Sequence, residues 1–517
     1  MTLREKIFKT FVVTIREVNA HGGPKEFFEK YPVGGIYYGE GKVYTDENNL
    51  EMGMYLGFDR LQECKKYSKN KLLVCADEVN AIGQTVDFYP QSSLGATQSE
   101  EDAYNWGKVM GMQMNDKGID WVLQPSIDMY MHHLMPLAAI SNDPKLTARL
   151  YRKVVKGIQD QGVCATVKHF PGLGTSYLNM HIGPGQNTFS FDKWMDTYGF
   201  TYKEMFDEGV MSVMTTHATL KSYDNEITDG FYPIATYSKK LTTNLLKEEL
   251  GFDGVVVTDA LVMGGMATGD IVKETVQAFK AGADVLLWPP VEAAEAIEEA
   301  ILSGEIPMSR LCDALSRIEK MEKFREENKN AASKSDSKFI DEFLTHMAED
   351  GICLLRNEIN LIPLDPKIKN VLIVDATDRD EISSKMLKEE LEKRGMRVDV
   401  KREIYDVPSR VCWQGDTDKL QENYDLIILN LNEVDTSAWS ISHMLIWNSH
   451  LFDKNKKLIV NYGTPFMAED YFPQDPTIIE MNCNPNRVSI SALADGILGR
   501  RAFLGKPVLK KDMPDLK

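Results

Sequence analysis

Fourteen residues, KHFPGLGTSYLNMH, run from Lys168 to His181 and hold two of the nine histidines in a 517-residue chain. A lysine and a histidine close an apolar run, a Pro-Gly turn follows, and a second histidine stands at the far end. Elsewhere, Asp259 comes directly after β-forming residues in GVVVTDALVMGG. A carboxylate in that position is partly desolvated and held on a rigid element, which suits a nucleophile or a general base. Lys168 and His169 can donate to hydroxyls, and Asp77, at the end of KLLVCADE, can accept from a vicinal diol with both oxygens. Acceptors, donors and a carboxylate with no metal among them point to a polyol substrate and to glycosyl transfer to water.

Such residues work together only if one face of the fold gathers them. Eight β-branched runs precede residue 330: KTFVVTI, VGGIYYG, KLLVCADE, IDWVLQPSID, VCATVKHF, SVMTTHATL, GVVVTDAL and ADVLLWPP. Helical patterns lie between them, such as LTARLYRKVVKGIQDQG and SKKLTTNLLKEELG, the latter with Ser238 as its N-cap and Gly251 as its stop. Eight strands alternating with helices over this length predict a (β/α)8 barrel, with an open doubly wound sheet as the rival. Asp77, Asp128, Lys168-His169, His217, Asp259 and Trp288 close the third to eighth runs in turn. In a parallel barrel those ends share the face on which active sites are built.

Several of these residues have a quieter reading. Asp128 is expected to brace the mouth through hydrogen bonds. His217 is either a satisfied inner-barrel histidine or a donor that reaches substrate, and it is counted here with the substrate-binding set. Trp288 is a sugar platform or a core residue.

The stretch 324–339, FREENKNAASKSDSKF, loses apolar periodicity and sets the boundary between a barrel domain over 1–330 and a second domain over 340–517. There KNVLIVDATD, YDLIILNLNE and KKLIVNYGTP read as buried strands with helices such as EISSKMLKEELEKRG between them, a smaller α/β sandwich with no nucleotide-binding motif.

A formal charge of −18 argues against nucleic acid or an anionic membrane as partner. No stretch approaches the ~20 apolar residues of a membrane span, and the N-terminus does not read as a signal peptide. The seven cysteines are scattered and never form a CxxC pair, which fits a reduced cytoplasmic setting without a structural zinc. No cofactor is expected, the expected partner is a carbohydrate substrate, and a homo-oligomer stays open.

KHFPGLG, then NMH, then GFDGVVVTDALVMGGM resembles the core of glycoside hydrolase family 3, in its β-N-acetylhexosaminidase branch. The likeness extends through GIDWVLQPSIDM to CLLRNEINLIPLD and NYGTPFMAEDYF in the second domain. The resemblance implies a retaining double displacement with Asp259 as nucleophile. It implies that Lys168, His169 and Asp77 hold sugar hydroxyls and that His181 is the loop acid/base. Three features depart from the family pattern. Asn179 stands where the branch has the Asp of Asp-x-His, Ala138 stands where an arginine is expected, and CADEVNAIG lacks a glycine pair. An amide can accept the imidazole N–H and hold its tautomer, but it cannot stabilise an imidazolium by charge. The implied activity is that of an exo-acting β-glycosidase on β-N-acetylglucosaminides. A phosphorylase, a glycosidase of other sugar specificity, or a sugar-binding relative with a degenerate site are the alternatives.

Overall fold

The computed structural model describes residues 1–39, 58–77, 90–131, 139–176, 178–227, 230–266, 268–331, 333–377, 382–402, 414–432 and 450–510. Glu78 and Ala138, and with them two of the departures noted above, lie outside the described residues.

All eight expected runs contain strands. They are β1 (Phe11–Val13), β2 (Gly35–Tyr37), β3 (Leu73–Ala76), β4 (Trp121–Val122), β5 (Cys164–Phe170), β7 (Ser212–Thr215), β9 (Val255–Thr258) and β10 (Leu286–Leu287). They pair in parallel in the order β10-β1-β2-β3-β4-β5-β7-β9. The ring is nearly closed by a parallel bridge between Val257 and Val285, where the Thr258 N–H donates to the Val285 carbonyl at 3.1 Å. This is the barrel rather than the open sheet. A separate parallel pair, β6 (Gly185–Asn187) and β8 (Ala218–Leu220), was not expected. SVMTTHATL therefore makes two strands, broken at Thr216-His217, and only the first belongs to the barrel.

Helices follow the sequence signals. Pro144–Gln159 covers the pattern that begins at Leu146. Ahead of the helix Lys240–Glu249, the Ser238 hydroxyl accepts from the Leu241 N–H at 2.9 Å, and Gly251 takes φ +76° beyond its end. Only glycine adopts that backbone without strain.

Opposite the strands' C-terminal ends, a charged network fixes the base of the barrel. Asp284 is fully buried and accepts from the Val256 N–H at 2.9 Å and from Lys247 at 2.7 Å. Arg310 reaches Asp284 and Asp313, and Arg317 reaches Asp313 at 2.8 Å, so the long helix Met308–Asn328 is tied to β9 and β10. Burial alone would push the Asp313 carboxyl up, but Lys247, Arg317 and Arg310 hold it at about 2.

The chain divides into two compact units, the first Met1–Asp87, Ala103–Asp128 and Thr147–Ser337, the second Phe88–Asp102, Met129–Leu146 and Lys338–Lys517. The single cut read from the sequence thus misses two segments that group with the C-terminal residues. Within the second unit the reason is visible. Ala96, Tyr130, Ala139 and Val508 form one apolar cluster, the Lys506 N–H donates to the Ala96 carbonyl at 2.9 Å, and the Ser141 hydroxyl donates to the Val508 carbonyl at 2.7 Å.

The second unit's sheet runs β11-β16-β15-β14-β12-β13, from β11 (Cys353–Asn357), β12 (Asn370–Thr377), β13 (Arg397–Arg402), β14 (Leu426–Asn432), β15 (Lys457–Asn461) and β16 (Thr477–Glu480). Its pairs are parallel except at the edge, where β11 runs antiparallel to β16, so the sheet is mixed. The helix Ile382–Lys393 covers ISSKMLKEELEK, within the stretch read from its pattern.

Candidate active site

Side chains alternate along a strand, so residues two apart share a face. Leu73 and Cys75 on β3, Cys164 on β5, and Val255 and Val257 on β9 belong to one buried cluster. Asp77, Lys168 and Asp259 continue those same rows toward the C-terminal ends. The barrel's own packing thus decides that these three polar groups project at the mouth rather than into the outer helix layer.

Lys168 is 5% exposed and its ammonium hydrogen-bonds Asp77. The structure therefore joins, as a charge pair, two residues that the sequence placed separately. His169 Nδ1 lies 2.7 Å from Asp128 Oδ2. A carboxylate there only accepts, so Nδ1 carries the proton and Nε2 lies on the other side of the ring. Asp128 is completely buried and takes two further donors, the Ser126 hydroxyl at 3.2 Å and the Leu173 N–H at 2.7 Å. It braces His169 and the Pro-Gly turn, as expected.

Asp259 is held at three points. Its N–H donates to the Thr215 carbonyl at 2.8 Å, its Oδ1 accepts from the Ala260 N–H at 2.9 Å, and its Oδ2 accepts from the Thr216 hydroxyl at 2.7 Å. Burial alone would raise the carboxyl. The charges of His169, His217 and Lys168, with the Thr216 hydrogen bond, outweigh burial and hold it below the ordinary carboxylate value.

His217 is fully buried, with Nε2 3.1 Å from the Ala260 carbonyl and Nδ1 2.8 Å from the Thr236 hydroxyl. A carbonyl can only accept, so Nε2 carries the proton and Nδ1 accepts from Thr236. Burial pushes this imidazole below its ordinary value against the pull of Asp259. With both nitrogens engaged by protein, His217 positions the backbone after Asp259. Of its two readings from sequence, the geometry favours the satisfied histidine over the substrate contact.

The loop after β5 carries Asn179 and His181, both exposed. Asn179 Oδ1 accepts from the His181 backbone N–H at 3.0 Å and lies 2.8 Å from Nδ1 of its ring. The loop docks on the turn after Asp259, where the Gly264 N–H donates to the His181 carbonyl at 2.9 Å and the Gly265 N–H to the Met180 carbonyl at 3.0 Å. A Cβ at Gly265 would stand 2.5 Å from the Met180 oxygen, and one at Gly264 2.8 Å from the His181 oxygen. Only glycines allow this approach. The two loops that bear His181 and Asp259 are therefore one assembly.

Sequence reading missed Thr216 and the roles of Gly264 and Gly265. The signals were present in the threonine pair of MTTHATL and the glycine pair of DALVMGG, but only the fold gives them partners. Trp288 packs edge-on to Tyr37 with ring centroids 5.1 Å apart and has φ +63°, a left-handed conformation at the end of β10. Among the described residues, the group whose donor atoms lie close enough for a metal ion is Glu17, His21 and Glu292. The 3.4 Å separation of His21 Nε2 and Glu17 Oε1 is that of an ion pair, and none of the three was a predicted site residue. No helix among the described residues is long and apolar enough to cross a membrane.

The nearly closed (β/α)8 barrel thus carries a half-buried, ionised carboxylate, a lysine–carboxylate pair and two oriented histidines at the C-terminal ends of its strands. The family model described as "Glycosyl hydrolase family 3 N terminal domain" matches residues 2–321, and the chain belongs to glycosyl hydrolase family 3. A β-N-acetylglucosaminidase/β-glucosidase of Cellulomonas fimi is 29% identical over 262 residues, 48% of this chain and 46% of that protein. β-Hexosaminidase A of Pseudoalteromonas piscicida is 26% identical over 329 residues, 57% of this chain and 54% of that one. The chain spans about half the length of these curated relatives. Among solved structures, a β-glucoside phosphorylase, BglX, bound to 2FGlc superposes with a TM-score of 0.82 at 23% identity, covering 99% of this chain and 95% of that one. A family 3 β-N-acetylglucosaminidase from Paenibacillus sp. str. FPU-7 gives a TM-score of 0.78 at 22% identity, covering 99% of each chain.

Proposed function

We propose that the protein is a retaining, exo-acting β-glycosidase that hydrolyses terminal β-linked sugars, with β-N-acetylglucosaminides as its substrate class. The observation that carries this reading is Asp259, a half-buried carboxylate kept ionised and oriented at the end of β9. The names of the Cellulomonas and Pseudoalteromonas relatives support the sugar.

In the first step an Asp259 oxygen bonds to the anomeric carbon as the bond to the leaving oxygen breaks. The leaving oxygen takes its proton from Nε2–H of protonated His181, whose Nδ1–H rests on Asn179. In the second step neutral Nε2 removes a proton from water as the water oxygen bonds to the anomeric carbon and the carboxylate departs. Asp77, Lys168 and His169 Nε2 hold the sugar hydroxyls. A panel of nitrophenyl glycosides should be turned over by the wild type and lost by more than about a thousandfold in Asp259→Ala. A 2-deoxy-2-fluoro glycoside should label Asp259 in peptide mass spectrometry, and a label on another carboxylate would refute the assignment.

Phosphorolysis is the second reading, and one observation favours it. No Asp, Glu, Lys or Arg lies between Phe170 and Phe191, and Asn179 stands where a carboxylate would face the incoming nucleophile. A phosphate dianion meets no opposing charge from that loop. Appearance of sugar 1-phosphate on adding inorganic phosphate would move the assignment to this reading.

A further inference from the structure

We propose that Thr216 is a positioning residue for Asp259, a role that rests on Asp259 being the nucleophile. Thr216 is fully buried in the break between β7 and β8. Its backbone is pinned where its N–H donates to the Phe170 carbonyl at 2.9 Å. Its hydroxyl stands 2.7 Å from Asp259 Oδ2. An ionised carboxylate only accepts, so the hydroxyl proton points at Oδ2 with no ambiguity of direction.

Two donors, one per oxygen, therefore fix the carboxylate plane, Thr216 on Oδ2 and the Ala260 N–H on Oδ1. They differ in kind. The Ala260 donor belongs to the chain next to Asp259 and moves with it. Thr216 comes from the neighbouring strand and resists rotation of the carboxylate relative to the barrel. Its hydrogen bond strengthens with the charge on the oxygen. It thus stabilises the free carboxylate before attack, and again as the glycosyl–oxygen bond breaks and charge returns in the second step. The break in SVMTTHATL is what frees Thr216 for this. Continued as a barrel strand, β7 would carry that side chain onward with the pleat.

Among the described residues, the charged and titratable groups that act on Asp259 are Lys168 and His169 from β5 and His217 from the β7–β8 break. None of them is altered by changing Thr216, so a change in the behaviour of Asp259 reports the hydroxyl. The test compares Thr216→Val, which keeps the shape and removes the donor, with Thr216→Ser, which keeps the donor. The Asp259 carboxyl is titrated by ¹³C NMR in aspartate-labelled protein, with Asp259→Asn assigning the signal, and kcat/KM is followed against pH on an aryl glycoside. Thr216→Val should move the Asp259 titration and the acid limb of kcat/KM to higher pH. It should cut kcat/KM at the acid end about tenfold, the factor expected for one lost charge-assisted hydrogen bond. Thr216→Ser should restore both. If the Asp259 signal and the acid limb stay where they are in Thr216→Val, or if serine fails to restore them, the proposal is overturned. Should valine prevent folding, Thr216→Ala serves in its place. The NMR titration needs no turnover, so a wild type inactive on every glycoside would refute the glycosidase reading while the hold of Thr216 on Asp259 was still decided.

Discussion

The amide oxygen of Asn179 stands 2.8 Å from Nδ1 of His181 and also takes that residue's backbone N–H at 3.0 Å. One neutral acceptor fixes both the backbone and the ring of the loop histidine. It does for orientation what a carboxylate would do, and it adds no charge. An imidazolium formed there lacks its main stabiliser, so proton donation to a poor leaving group suffers more than proton removal from water. Nitrophenyl glycosides, whose leaving groups need little protonation, should stay good substrates, and natural glycosides should be slow. Asn179→Asp should speed the natural substrate by about tenfold or more. His181→Ala should cost about 10²–10⁴ on natural glycosides and much less on nitrophenyl ones. Equal losses on both substrates would remove His181 from the acid/base role.

The glycine pair after Asp259 should be needed for proton transfer more than for attack. A methyl at Gly265 meets the Met180 oxygen at 2.5 Å and must push the His181 backbone away. Gly265→Ala should cost about 1–3 kcal/mol of stability through overpacking. Its kcat/KM should fall further on natural glycosides than on nitrophenyl ones, and steady-state assays on both substrates read that ratio. A uniform fall would mean that Asp259, not His181, had moved.

Asp128 should behave as the brace of His169. In Asp128→Asn one oxygen becomes an NH₂ that faces either the Leu173 N–H or the protonated Nδ1 of His169, both donors. The ring must change tautomer or turn, and kcat/KM should drop by about a hundredfold or more, mostly through KM if His169 binds hydroxyls. An unchanged KM with a large loss of kcat would place His169 in the chemical step instead.

Far from the mouth, Asp313 makes stability depend on acid. Its carboxyl sits at about 2 in the fold against an ordinary 3.8, so the folded state favours the ionised form. That contribution is fully present above about 3.8 and fades as pH falls toward 2. Asp313→Asn should lower the Tm at neutral pH, modestly because the side chain is over a third exposed, and the gap should close between pH 4 and 2. Calorimetry across that range checks it, and a gap that widens on acidification would contradict the sign.

Periodicity and punctuation are local properties, and they are what the sequence by itself determined. The eight barrel runs, the cap at Ser238, the stop at Gly251 and the polar residues at run ends follow from side-chain alternation and turn chemistry within a few residues. The motifs KHFPGLG and GFDGVVVTDAL also sufficed for the family, because each packs several constrained residues into one short window. Tertiary structure decided which groups meet. That Lys168 pairs with Asp77 across 91 residues, that Thr216 rather than a charged residue bonds Asp259, and that the His181 loop rests on Gly264 and Gly265 are contacts between separate elements. The same holds for the division of the chain, since Phe88–Asp102 and Met129–Leu146 join the C-terminal unit through packing at Tyr130, Ala139 and Val508. His217 makes the distinction plain. A histidine at a strand end reads from sequence as a hand for the substrate or as a satisfied core group, and only the Thr236 hydroxyl and the Ala260 carbonyl, folded against its two nitrogens, choose between them.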